Sequence, residues 1–236
     1  MNIAMWSGPR NLSTAMMRSF ANRSDVQHVM DEPLYASYLN RTKKNHAMYD
    51  EVIASQDIDY SIVTQACANN TQGICFQKHM VQHIDFDQEN DWILDLNNFF
   101  LIRKPELVVP SFLLKFPEGD FEDLGFKQQI DIFNYIKHQT KKTPVVIDAT
   151  DIRNDPTNFL SKLCEKLTIE WDDSMLTWKS GLKEYDGVWA KHWYHSVEKS
   201  DSFKPEETSK ATLSNRAKQL VEQANIYYQQ ISKYKI

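Results

Sequence analysis

The chain alternates short apolar runs with stretches whose apolar residues recur every three or four positions. The runs cover 3–6, 26–30, 74–77, 98–102 and 144–147, and each is short enough to be a strand buried on both faces. The segments between them carry a helical period. Leu12, Ala15, Met16, Ser19 and Phe20 share one face, as do Ile130, Phe133 and Ile136, with Ile132 beside them, and Phe159, Leu160, Leu163 and Leu167. Residues 34–70 read as mostly helical, with a partial stripe of Ile62, Val63, Ala66 and Cys67 ended by Gly73. A helix is expected over 106–116 despite Pro110, which deforms it. Asp155-Pro156 is a helix start, with the aspartate as N-cap and proline at the first helical position. Leu213, Ala217, Leu220, Val221, Ala224, Tyr228 and Ile231 form the apolar stripe of a closing helix over 211–231. Strands alternating with helices predict an α/β fold with a central, mostly parallel five-stranded sheet flanked by helices.

The chemistry gathers where the strands stop. The first run leads into Ser7-Gly8-Pro9-Arg10-Asn11, and Leu12-Ser13-Thr14 opens the first helix. Strand, tight loop and helix start form a layout in which backbone amides and the helix dipole can hold an anion. Arg10 adds a donor fork suited to phosphate or sulfate oxygens. A nucleoside-triphosphate loop reads G-x-x-x-x-G-K-[ST]. Here Ser13 and Thr14 occupy the second-glycine and lysine positions, and the other register puts Ser13 in place of the lysine. A plain strand–turn–helix connection is the alternative.

The second run ends in Asp31-Glu32-Pro33, the third in Lys78-His79, and the fourth in Arg103. Carboxyl ends of parallel strands face one edge, where such groups can meet. Glu32 and Arg103 could equally be solvated charges closing their strands. Ser111, eight residues after Arg103, could reach the same anion from the following helix. His83 lies four residues after His79, but no carboxylate or cysteine at a familiar spacing supports a metal site. Asp148 and Asp151 could bind magnesium in a phosphotransferase or simply close their loop.

Net charge of -5 argues against general nucleic-acid affinity but leaves room for a basic pocket. Cys67, Cys75 and Cys164 sit in mostly apolar contexts and form no C-x-x-C pair, which suggests reduced thiols and a cytoplasmic setting. No apolar run approaches about 18 residues, so no membrane span is expected. The first strand begins at once, so no signal peptide is expected. One domain over 1–236 is expected, with the sheet core in 1–170. Beyond it Trp171, Trp178, Trp189 and Trp193 crowd into a segment of little periodicity. That segment is either a lid over the sheet edge or an irregular cap whose tryptophans fill space. A polar loop over 200–208 follows.

Pro9-Arg10-Asn11-Leu12-Ser13-Thr14 resembles the 5′-phosphosulfate loop of sulfotransferases, and Arg103 with Ser111 resembles that family's 3′-phosphate motif. Glu32-Pro33 resembles the position of the catalytic glutamate in bacterial and carbohydrate members. Lys78-His79 resembles the place of a lysine or histidine close to the transferred group. The tail, with Gly187-Val-Trp-Ala and His192-Trp-Tyr, resembles a bacterial and plant sulfotransferase-like branch, which in plants can be fused to an aminotransferase-like domain. The resemblance implies a P-loop NTPase-like three-layer fold, 3′-phosphoadenylyl sulfate as donor with no metal, and a small-molecule acceptor. It implies donor contacts from Ser7, Gly8, Arg10, Asn11, Leu12, Ser13, Thr14, Arg103 and Ser111. Lys78 would stabilise the bridging oxygen, and Glu32, or alternatively His79, would take the acceptor's proton. The loop departs from the family in carrying Asn11-Leu12, and the arginine–lysine–glycine motif of cytosolic eukaryotic members is absent. A P-loop kinase and a non-catalytic binding protein on the same scaffold are the rival readings.

Overall fold

The computed structural model describes residues 1–69, 72–205 and 213–236. Five strands, β1 (Asn2–Ser7), β2 (Val26–Asp31), β3 (Ile74–Met80), β4 (Asn97–Ile102) and β5 (Val145–Asp148), form one sheet in the order β2-β3-β1-β4-β5. Every pairing is parallel. β1 lies at the centre, with β2 and β3 laid on one side of it and then β4 and β5 on the other. That reversal makes the carboxyl end of β1 a switch point, where a crevice opens between diverging connections.

The connections are helical. α1 (Ser13–Ala21) follows β1. α2 (Tyr35–Thr42), α3 (Tyr49–Ser55) and α4 (Tyr60–Ala68) fill the stretch after β2. α5 (Pro105–Leu113) and α6 (Phe126–Thr140) follow β4, then α7 (Ala149–Asn154) and α8 (Pro156–Leu167) follow β5. The tail holds the single turns α9 (Ala190–Trp193) and α10 (His195–Glu198) and the long α11 (Asn215–Ile231). Asp155 caps α8 by accepting from the Asn158 amide at 3.3 Å. Pro110 stands inside α5 without ending it. The expected start of the last helix at Ala211 lies outside the described residues, as does the end of the polar loop expected over 200–208. The described helix begins at Asn215, with Ser214 accepting from the Ala217 amide at 3.2 Å.

Strand alternation splits the core in two. Ile3, Met5, Phe76, Phe99 and Leu101 face α1, α2, α8 and the tail. Ala4, Trp6, Phe100 and Val146 face α4 and α6. Trp178 and Trp189 are buried in the first of these cores, so much of the tryptophan-rich segment is core filling. Trp193 instead reaches the cavity described below.

β3 runs further than its apolar pattern suggests. Lys78 and His79 belong to the strand rather than to a stop after it, so they point to opposite faces. Val81–His83 is a 3₁₀ turn, so His79 and His83, four residues apart, share no helical face. Asp148 and Asp151 take the structural role. Asp148 accepts from the Thr150 amide and the Tyr228 hydroxyl, both at 2.8 Å, and Asp151 pairs with Lys235 at 2.8 Å.

Candidate active site

The loop after β1 is shaped by close packing. A Cβ on Gly8 would lie 2.6 Å from the Leu124 carbonyl oxygen, so only glycine lets the loop pass there. Asn11 donates to the Leu101 carbonyl at 3.1 Å, tying the loop to β4. Arg10 and Leu12 sit at φ 60 and 68, a left-handed conformation that L-residues adopt at some strain. Leu12 stands at the N-cap of α1 and offers no side-chain cap, and the first turn holds no acidic residue. The leading amides of α1 therefore lack the usual side-chain acceptor, as at an anion-binding helix end.

Two guanidinium groups converge on this loop. Arg103 donates to the Arg10 carbonyl at 2.6 Å, and Arg10 donates from Nε to the Ser111 hydroxyl at 2.9 Å. Burial, and then the neighbouring Arg103, hold the Arg10 pKa below its ordinary value. Two like charges drawn together in a half-buried setting favour an anion between or beside them.

The loop forms one end of a cavity of about 380 Å³, within the range of about 300–1,000 Å³ for ligand pockets. Arg10, Asn11, Leu12, Ser13, Thr14, Glu32, Lys78 and Arg103 line it. The lining also carries aromatic side chains, Tyr35, Tyr38, Phe112, Phe116 and Trp193. Ser7, Gly8, Ser111 and His79, expected at the site, are not among the lining residues. Ser7 ends β1 with its hydroxyl buried toward the Met80 sulfur at 4.0 Å. Gly8 shapes the loop, and Ser111 takes part through Arg10.

The clearest correction concerns His79. It lies on the face of β3 away from the cavity, with its ring stacked on Trp6 at 4.4 Å and Nε2 2.9 Å from the Gln77 amide oxygen. Burial, with a smaller push from Lys78, lowers its pKa to about 3. A side chain sealed in the opposite core cannot take a proton from a molecule in this cavity.

Glu32 follows β2 directly, its amide donating to the Lys78 carbonyl at 2.8 Å. Pro33 disfavours the right-handed helical region for Glu32, and the residue takes φ 46. Its carboxylate accepts from the Lys78 ammonium, which also donates to Asp31 at 2.9 Å. Burial pushes the Glu32 pKa up, Asp31 adds to that, and Lys78 opposes it. For Lys78, burial works to lower the pKa, but Asp31 and Glu32 outweigh it and raise it. The result is a buried cation flanked by two carboxylates at the cavity wall.

Several residues of the site escaped sequence reasoning. Asp31 stands beside Glu32 in the sequence, but nothing there marks it as the second partner of Lys78. His83 is wedged between Tyr35 and Tyr38, each ring 4.7 Å away, and nothing in its spacing signals that. Lys115, Arg153 and Lys204 add positive charge to the cavity wall from the turn after α5, from α7 and from the tail. Among the described residues, no group of three histidine, cysteine or acidic side chains could hold a metal ion. Among the same residues, no helix is long and apolar enough to cross a membrane.

The chain is 36% identical over 203 residues to branched-chain-amino-acid aminotransferase-like protein 1 of Arabidopsis thaliana, a match covering 85% of the chain and 36% of that protein. The chain thus spans about a third of the length of the curated relatives it matches. Among solved structures, the sulfotransferase domain of the Synechococcus PCC 7002 olefin synthase superposes with a TM-score of 0.48 at 16% identity, covering 94% of each chain. Mouse sulfotransferase SULT7A1 complexed with PAP gives 0.45 at 13% identity, covering 74% of this chain and 61% of that one. The sulfotransferase-domain family matches residues 1–234, essentially the whole sequence, and the chain therefore belongs to the sulfotransferase family.

Proposed function

We propose that the chain transfers a sulfuryl group from 3′-phosphoadenylyl sulfate to a hydroxyl or amine of a small-molecule acceptor. The observation that carries this reading is the pairing, within one cavity, of an uncapped helix start beside two arginines with the Lys78–Glu32 ion pair. The first suits an anionic donor. The second suits movement of a proton and of negative charge.

In this reading the loop amides, Arg10, Ser13 and Thr14 hold the 5′-phosphosulfate, and Arg103 holds the 3′-phosphate, with Ser111 acting through its bond to Arg10. The cations that meet the donor are side chains. Glu32 takes the proton from the acceptor hydroxyl as that oxygen bonds to sulfur. The bond from sulfur to the bridging oxygen breaks, and Lys78 meets the charge left on that oxygen. The products are the sulfated acceptor and adenosine 3′,5′-bisphosphate. Sulfuryl transfer, like phosphoryl transfer, asks the protein mainly for positioning and electrostatic stabilisation. The raised pKa of Glu32 suits a base working nearer neutrality than a free carboxylate.

Thermal shift tests the donor. A ligand that binds only the folded chain raises its melting temperature. Adenosine 3′,5′-bisphosphate is expected to stabilise the protein, and ATP with magnesium is not. The opposite result moves the reading to a kinase, and stabilisation by neither moves it to a non-catalytic protein. Glu32→Gln is expected to abolish turnover while leaving bisphosphate binding nearly unchanged. Retained turnover in that variant removes Glu32 as the base.

A further inference from the structure

The tail contributes one hydroxyl to the buried ion cluster, and its bonding is saturated in an informative way. Tyr194 is 5% exposed and Lys78 1%. The Lys78 ammonium has three hydrogens, and all three are used: one on Asp31 at 2.9 Å, one on the Tyr194 hydroxyl at 2.8 Å and one on Glu32. The Tyr194 oxygen accepts from Lys78 and from the Trp189 indole at 3.1 Å, and its single proton goes to the Asp31 carboxylate, 2.8 Å from each oxygen. Asp31 accepts in addition from the Gly187 amide at 3.0 Å. Asp31 and Tyr194 are therefore held by groups other than Lys78, from both the sheet and the tail. Glu32 is different: its carboxylate takes its short hydrogen bond from Lys78, with the Tyr194 hydroxyl a weaker partner, and it lines the cavity.

We propose that Tyr194 is a positioning residue, which with Asp31 clamps the Lys78 ammonium at the sheet edge so that its third hydrogen passes from Glu32 to the donor's bridging oxygen when donor binds. The proposal rests on the roles given above to Lys78 and Glu32. It deepens them by linking the two. Arrival of the donor draws the ammonium off Glu32, and the released carboxylate is then free to accept the acceptor's proton. Without the clamp, Lys78 would follow whichever carboxylate lay nearest, and the base would stay covered. Asp31 stays the standing counter-ion throughout, because its other two donors do not move with the donor.

Lysine side-chain ¹⁵N NMR tests this without knowledge of the acceptor. In the wild-type protein a slowly exchanging ammonium signal is expected, identified by its absence in Lys78→Arg. Tyr194→Phe keeps the ring and removes the hydroxyl, and it is expected to lose the signal while circular dichroism stays native. Should Tyr194→Phe fail to fold, Asp31→Asn is expected to lose the signal for the same reason. An unchanged signal in a folded variant overturns the clamp. Adding adenosine 3′,5′-bisphosphate, whose 5′-phosphate carries the former bridging oxygen, is expected to shift the wild-type signal and leave it protected. Bisphosphate that binds by thermal shift yet leaves the signal in place overturns the exchange. Bisphosphate that does not bind overturns the proposed donor and the exchange with it, while the Tyr194→Phe spectrum still decides the clamp.

Discussion

Lys78 and His79 show what one residue's displacement along a strand does. Both were legible as charged groups at the end of β3, and both were candidates for the same chemistry. A strand that continues to Met80 gives them opposite faces, so one lines the cavity and the other is sealed against Trp6. The apolar run could not reveal this, because Gln77, Lys78 and His79 are polar yet fully inside the fold. Burial of His79 has a consequence for stability. Its imidazole stays neutral to about 3 in the fold, whereas an unfolded imidazole takes a proton near 6.5. Below that pH the unfolded chain binds more protons, and the fold loses stability by about 1.4 kcal/mol per pH unit for this one group. Glu32, with its pKa raised, works in the opposite sense, but equally so in a His79 variant. His79→Phe, which keeps a ring on Trp6, is expected to lose about 2 kcal/mol less than the wild type between pH 7 and pH 5, as measured by urea unfolding. Equal losses in the two proteins would show that His79 already titrates in the fold. Arg103→Ala belongs to the same scale. It is expected to weaken binding of adenosine 3′,5′-bisphosphate far more than that of 5′-AMP, and equal weakening would detach it from the 3′-phosphate.

At the scale of elements, the starts of the helices were more legible than their neighbourhoods. Asp155-Pro156 announced α8, and the observed cap is the one its residues dictate. The sheet order was not legible, since any of the five apolar runs could have been central. The end of α8 was also missed, because it carries no glycine. Thr168 occupies that position at φ 60, with its amide donating to the Glu165 carbonyl at 3.1 Å. A β-branched residue in the left-handed region is strained by about 1–2 kcal/mol, and glycine there is the common solution. Thr168 is exposed, so its side chain gives little packing in return. Thr168→Gly is therefore expected to stabilise the protein by about 1 kcal/mol, raising Tm by about 2–4 °C. A fall in Tm would mean that the threonine side chain does more than the exposed position suggests.

For the whole molecule, the question is whether the tail is a lid or a part of the fold. Its composition allowed both. The answer lies in an interaction between residues far apart in the chain, which periodicity does not report. Arg18 of α1 donates to both oxygens of Asp186, at 2.5 and 2.6 Å, with the side chains 1% and 3% exposed. Asp186 also accepts from the Lys183 amide at 2.8 Å, and the next residue, Gly187, reaches Asp31. A bidentate buried pair is costly to break from one side, because the remaining charge stays desolvated. Arg18→Ala and Asp186→Ala are each expected to destabilise the protein by about 3–5 kcal/mol. The double replacement Arg18→Met with Asp186→Leu removes both charges and restores apolar volume, and it is expected to recover a large part of that loss. Urea unfolding followed by tryptophan fluorescence and by circular dichroism decides the matter. If the tail is part of the fold, the single variants lower both transitions together. If it is a lid that opens alone, the fluorescence transition moves to lower urea while the circular dichroism transition stays where it is. Coincident transitions are expected, since the cluster that holds the tail also holds Lys78, and release of one would release the other.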